Sequence, residues 1–336
     1  MKSLVTTILC LCLIMTYGQN LENTESVKNQ DSTTYEAKMI KTSRMNMEYM
    51  DFEGNGKVLI HIQGVHNASS MENNPRYYEN FVAWRDILTE ASEHYRVYAP
   101  IYRGYGNSDK DGDDIYKVEN IAKDILAFMD EMNVESAVFI GRTTSPQVMF
   151  HLVENHPSRV DAIIASDSGS MYKTMPVQNE EIKEFFYYCS YAASDLGDRA
   201  PDIVMPTYDY EPNFFSDNTK KLNIPLYWPY SEQMNVIMMN LQLLNYLQPD
   251  NTFIPNEKAK KYFNNLYVDK ELQNRIKEYY TKNDPSQKVL DALKGAFGSN
   301  LTLQNIDNIE GATLMEKFEK ADEIMMTYLI SLNNED

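Results

Sequence analysis

Short apolar runs alternate with amphipathic stretches along most of the chain. RMNMEYMDFEGNGKVLIHIQG, beginning at Arg44, reads as an alternating strand, a Gly54-Asn55-Gly56 hairpin turn and the buried strand Val58 to Ile62. FVAWRDILTEASE has helical spacing, and YRVYAPIY is a second buried strand. Ile115, Val118, Ile121, Ile125, Phe128, Met129 and Met132 then fall on one helical stripe. The strand SAVFI, the helix PQVMFHLVENH and the strand VDAIIAS follow. Apolar strands enclosed between amphipathic helices predict an α/β fold, a mostly parallel central sheet flanked by helices on both faces.

The alternation stops between residues 169 and 275, where Tyr, Phe, Met, Asn and Pro dominate and SEQMNVIMMNLQLLNYL is helical in pattern. This block is expected to be an inserted helical cap, its Met and Tyr side chains mostly packed in a core rather than lining a ligand surface. RIKEYYTKNDP, the helix SQKVLDALKGAFG, the strand LTLQNI and the helix TLMEKFEKADEIMMTYLISL resume the pattern. The α/β core is therefore expected over 44–168 and 276–336.

Residues 19–43 are polar, without apolar period, and predict a disordered mature N-terminus. Residues 1–18 have the layout of a secretory signal peptide: Lys2, an apolar run from Leu4 to Met15, then small or polar residues. A secreted or periplasmic location is expected. The run is short for a membrane span and has no basic flank beyond it, so no stable membrane insertion is expected after cleavage. Cleavage would leave Cys189 as the last cysteine, read as a small buried hydrophobe, with no internal disulfide.

Composition narrows the function classes. The 336 residues carry a formal charge of −18 and a pI near 4.7, which opposes nucleic acids and anionic membrane surfaces. No Cys/His cluster suggests zinc, and no glycine-rich loop suggests a phosphate cradle. DKDGDDIYKVEN fails as a calcium loop, with Gly112 too early and Asn120 where a bidentate glutamate is required. Asp111, Asp113 and Asp114 read instead as solvated charges near the next helix's positive end. No metal and no cofactor are expected. A small-molecule ligand or substrate is, and the sequence leaves the oligomeric state open.

Several segments, in order and at the expected spacing, resemble the capped branch of the α/β-hydrolase superfamily, the AB hydrolase-1 type. IHIQGVHNAS is similar to the strand and oxyanion loop, with Gly64 and Val65 at the matching positions. Arg103-Gly104-Tyr105-Gly106-Asn107-Ser108 is similar to the family's Arg-Gly-aromatic-Gly-x-Ser turn. FIGRTTSPQVMFHLVENHP resembles the strand, nucleophile turn and helix. YYTKNDPSQ resembles the turn that carries the acid, and NIEGATLMEKFEKADEIMMTYL the segment that supplies the histidine. The resemblance implies a nucleophile, acid and base at Thr143, Asp284 and Ala312, with the backbone near Gly64, Val65 and Thr144 forming an oxyanion site.

Those positions depart from the family's chemistry. Thr143 stands where a serine flanked by glycines is expected, and a β-branched residue fits poorly at the positive φ of such a turn. Ser145 stands at the second glycine, followed by Pro146, which suits the first helical position; Ser145 is read as the helix N-cap, with a displaced nucleophile as the alternative. The five histidines are His61, His66, His94, His151 and His156, so none follows residue 156. His66, beside the oxyanion loop, is a candidate substitute base or a loop histidine; His61 is expected to be packed in its strand, and His94, His151 and His156 solvent-facing near helix ends. In a serine protease, losing nucleophile or histidine alone costs roughly 10⁶ in kcat.

Three functions fit these residues. The first is a pseudoenzyme on a hydrolase scaffold that binds a small apolar or aromatic ligand or a partner. The second is an active hydrolase with a rearranged site built from Thr143 or Ser145, Asp284 and His66. The third is a non-catalytic envelope interaction protein.

Overall fold

A computed structural model describes residues 36–64, 76–112, 114–142, 144–165, 209–217, 219–231, 263–282, 285–311 and 313–333, with isolated positions at 184, 185, 188, 206, 260 and 261. Eight strands form one sheet: β1 (Glu36–Lys41), β2 (Asn46–Asp51), β3 (Val58–Ile62), β4 (Arg96–Pro100), β5 (Ala137–Gly141), β6 (Val160–Ala165), β7 (Leu226–Tyr230) and β8 (Leu301–Asn305). Their spatial order is β1-β2-β4-β3-β5-β6-β7-β8. β1 and β2 pair antiparallel, β2 and β4 likewise, and every later neighbour is parallel. The expected mostly parallel sheet is what forms.

The flanking helices are α1 (Arg76–Ala91), α2 (Val118–Glu131), α3 (Ser145–Asn155), α4 (Asn213–Ser216), α5 (Asn264–Val268), α6 (Lys270–Lys282), α7 (Pro285–Phe297) and α8 (Leu314–Leu332). On α2, Val118, Ile121, Ile125, Phe128 and Met129 are buried as the stripe predicts. Phe128 packs against Tyr49 of β2 and Tyr98 of β4. Phe150 of α3 stacks on Trp228 of β7 at 5.9 Å. Burying each such side chain contributes about 1.5–3 kcal/mol.

Three expectations are corrected. Gly54-Asn55-Gly56 does not close a hairpin, because β4 lies between β2 and β3. Phe52 N donates to Val97 O at 3.2 Å, and Arg96 N to Lys57 O at 2.9 Å. Gly54 has φ +86°, and a Cβ there would come within 2.5 Å of the Ser92 and Tyr95 carbonyl oxygens, so glycine is required by the chain passing over it. The disorder expected through residue 43 ends earlier, since Glu36–Lys41 is an edge strand. Its ladder to β2 and the Lys38–Asp51 ion pair at 3.0 Å order a segment that has no apolar period of its own. The interval 169–275, expected to be a helical cap, contains β7 of the central sheet. Most other residues of that interval lie outside those described.

The Arg103 to Ser108 turn fixes β2 and α2 to the end of β4. Ser108 Oγ accepts from Glu48 N at 2.9 Å and donates to Ile101 O at 2.8 Å. The Glu48 carboxylate accepts from the backbone and side chain of Asn107. Arg44 and Arg103 both donate to the buried Asp124 carboxylate of α2. At the other end of the chain, α8 opens with a Thr313–Glu316 capping box. Lys57 Nζ donates to Leu332 O, and Asn333 Nδ2 to His94 O, both at 2.9 Å, which closes α8 onto the core.

Candidate functional site

Parallel strands β3, β5, β6, β7 and β8 present their carboxyl ends along one edge, where open α/β sheets bind ligands. β3 and β5 are in register through Ile62 and Gly141, so Gln63-Gly64 and Arg142 leave the sheet side by side. A Cβ on Gly141 would lie 2.4 Å from both Ile62 O and Ser145 Oγ. Glycine is therefore what lets α3 start directly over the end of β5.

Thr144, not Ser145, occupies the N-cap position of α3, and its side chain makes no capping bond. This corrects the N-cap reading of Ser145. The Ser145 hydroxyl donates to Arg142 O at 2.7 Å, turned back toward the strand it follows. Both Thr144 and Ser145 are 1% exposed. Ser145 N also donates to Arg142 O, and Gln147 N to Thr144 O, both at 3.2 Å. Pro146 has no N–H to offer.

Gly64 is buried and adjoins the elbow through the β3–β5 register, so Gly64 and Thr144, both read as oxyanion-site positions, come from neighbouring strand ends. Thr143, Val65, His66, Asp284 and Ala312 lie outside the described residues. The sequence on either side of Asp284 is helical, α6 before it and α7 after it.

The carboxyl ends of β7 and β8 carry a pair that sequence reading missed. Ser231, fully buried, donates its Oγ to Asp307 Oδ1 at 2.5 Å. Asp307 N donates to Asn305 Oδ1 at 2.9 Å, and Lys317 Nζ to Asp307 O at 2.6 Å. The local signal was Asn305-x-Asp307, which begins on the last residue of a strand and caps a short turn with a side chain.

A second missed group surrounds Trp84 of α1. The His61 ring, on β3, lies 4.4 Å from the Trp84 ring, and the Arg142 guanidinium carbon lies 5.4 Å from it. His61 is 3% exposed, in keeping with the packed role expected of it. Burial, then the charge of Arg142, holds its pKa down at about 3. A neutral imidazole this weakly basic is a poor proton acceptor at neutral pH. His151 is only half-buried, with its ring 5.5 Å from Tyr210.

A depression at the opposite edge, lined by Asp130, Asn133, Val134, Glu135, Ser158 and Arg159, is structural. Arg159 spans it with bonds to Val134 O, Glu135 O and Asp130. Among the described residues no three His, Cys, Asp or Glu side chains are grouped to hold a metal ion. Among them, too, no helix is long and apolar enough to cross a membrane.

Comparison with known proteins places this geometry. A family model described as the α/β-hydrolase fold matches residues 74–187. Among curated proteins, the AB hydrolase superfamily protein YfhM of Bacillus subtilis is 36% identical over 72 residues, 21% of this chain and 25% of that protein. Epoxide hydrolase 1 of Caenorhabditis elegans is 23% identical over 162 residues, 47% of this chain and 37% of that protein. The matched stretches thus span well under half the length of these relatives. Among solved structures, one described as a candidate epoxide hydrolase from Pseudomonas aeruginosa superimposes with a TM-score of 0.54, at 16% identity, covering 91% of this chain and 99% of its own. ALR0039 from Nostoc sp. PCC 7120, described as a candidate α/β-hydrolase, gives 0.51 at 14% identity, covering 88% and 98%.

Proposed function

As the chain belongs to the α/β-hydrolase superfamily, we propose that it is a secreted or periplasmic member that binds a small, largely apolar ligand without hydrolysing it through a Ser-His-Asp triad. The observation that carries this reading is the position of the histidines. None follows His156, so the segment after β8 offers no imidazole where the family resemblance places the base. The inward-turned Ser145 hydroxyl supports it, since that proton is given to Arg142 O rather than shared with a base. So does Thr143 at the elbow. The layout of residues 1–18 supports export.

The test compares the wild type with a Thr143→Ser plus Ala312→His double variant. Short esters and small epoxides are offered to both, with turnover and ligand-induced thermal shift recorded. The proposal expects thermal shifts with the wild type and turnover, if any, only in the double variant. Wild-type turnover abolished by Thr143→Ala would overturn it.

A second reading is favoured by one observation, that several relatives carry the name epoxide hydrolase. An epoxide opened by water activated at His66, with Asp284 assisting, would make this chain an active hydrolase. His66→Ala is the discriminating variant: loss of a measurable epoxide-opening rate supports this reading, and an unchanged background rate removes it.

A further inference from the structure

The geometry points to Gln63 and Arg142 as a recognition pair for the carboxylate of an otherwise apolar ligand. This rests on the ligand-binding reading above and names the chemical class it takes.

The β3–β5 register pairs His61 with Ile140 and Ile62 with Gly141, so Gln63 and Arg142 are next in line. Alternation along a strand returns Gln63 to the face that His61 uses. That face is the one against Trp84, and Arg142 reaches the same ring from the neighbouring strand. Gln63 and Arg142 thus extend from adjacent strand ends, about 5 Å apart, onto one side of the sheet.

Gln63 is one of several buried side chains with an unpartnered polar atom among the described residues, and it is the one next in line to Arg142 at these strand ends. It is 7% exposed, and its Oε1, sealed from solvent, has no hydrogen-bond partner among the described residues. A buried carboxamide left this way is costly, and each such group calls for a water or a ligand. A carboxylate has no proton to give Oε1, so it is the rotated amide that serves it: turning about the last side-chain bond brings the Nε2 N–H groups into this space and carries Oε1 to the place Nε2 held.

Arg142 supplies the charge. It is half-buried, and its guanidinium offers five donors in a planar fork, enough to serve a carboxylate while keeping its contacts with the protein. The indole of Trp84 steadies the fork. His61 beside it is neutral at physiological pH and adds no competing charge. Because the chain as a whole carries −18, general electrostatic attraction disfavours anions, and selection must come from this local cation. Two oxygens in a plane match the fork plus one amide donor; a tetrahedral phosphate dianion asks for more charge than one arginine gives.

Isothermal titration with phenylacetate and hexanoate, each beside its primary amide, tests the assignment, with inorganic phosphate as a further arm. The acids are expected to bind at least about tenfold more tightly than the amides, and added salt to weaken the acids alone. Arg142→Gln should abolish the preference for acid, Arg142→Lys retain part of it, and Gln63→Leu weaken the acids about fivefold. Equal binding of acid and amide, or a preference that survives both Arg142→Gln and Gln63→Leu, overturns the inference while leaving ligand binding intact. Phosphate binding as tight as phenylacetate overturns the carboxylate assignment. Hydrolysis of phenylacetate esters by the wild type would instead overturn the non-hydrolytic reading. Should Arg142→Gln fail to fold, Gln63→Leu and Arg142→Lys decide the matter.

Discussion

The hydroxyl of Ser145 donates to the carbonyl of Arg142 at 2.7 Å, across the two residues Thr143 and Thr144 that separate them in the sequence. The bond makes Ser145 part of the turn. Ser145→Ala should cost about 1 kcal/mol of stability, the usual worth of one hydrogen bond, and leave ligand binding unchanged. Denaturant midpoints and a binding isotherm check this; loss of a measurable hydrolytic rate would return Ser145 to the list of nucleophiles.

Gly141 should tolerate nothing larger. Its Cβ would meet Ile62 O and Ser145 Oγ at 2.4 Å, one of them backbone and unable to move without shifting β3. Gly141→Ala is expected to destabilise by about 2–4 kcal/mol, in the range of overpacking and backbone strain. Adding Ser145→Gly should restore only part of the loss, because the carbonyl clash remains.

His61 predicts a pH dependence. Its folded pKa of about 3 lies below the ordinary value of 6.5. Between these values the unfolded chain binds the proton and the folded chain does not, so stability rises with pH through this window. Acidification from 6.5 toward 3 therefore removes stability, by up to about 1.4 kcal/mol per pH unit. His61→Phe, which keeps an aromatic ring beside Trp84, should flatten the slope between pH 6.5 and 5, above the range of most carboxylates. Urea titrations at three pH values measure it, and an unchanged slope would refute the role given to His61.

Asp51 acts at lower pH. Burial alone would raise its carboxyl pKa, but hydrogen bonds from Arg96, Glu53 N and Lys38 bring it down to about 2. Arg96 grips it with two N–H groups, at 2.5 and 2.9 Å. The stability from this group is fully present above about 3.8 and is lost as pH falls through about 2. Asp51→Asn should cost about 2–3 kcal/mol at neutral pH, less than a fully buried pair because Arg96 and Lys38 remain partly solvated. The difference from wild type should shrink in acid below pH 3.8; a constant difference would contradict the ion-pair account.

Local chemistry determined what could be read from the sequence. The Arg103 to Ser108 turn was legible through its resemblance to the family's motif, and the structure gives the physical reason for that pattern: Gly104 and Gly106 take positive φ, at +87° and +50°, and Ser108 bonds back to Ile101. The α2 stripe was legible because burial repeats with the helix. The Gly54 turn was misread because the strand that separates β2 from β3 enters only at Arg96, and no local pattern announces an inserted neighbour. β1 was missed because an edge strand paired on one side needs no apolar period. β7, LeuTyrTrpProTyr, was hidden by the aromatic composition around it. At the site, the odd elbow was visible as residue types, whereas Gln63 beside Arg142 and Ser231 beside Asp307 depend on register between strands far apart in sequence.

The central claim is that this scaffold binds and does not turn over, and intact-protein mass spectrometry tests it most directly. The purified wild type is incubated with a fluorophosphonate probe, a short p-nitrophenyl ester and styrene oxide, and protein mass and released product are followed together. The account predicts an unmodified mass and product formation at the rate of buffer alone. A covalent adduct on Thr143, or product formed above that background and lost in Thr143→Ala, would contradict it.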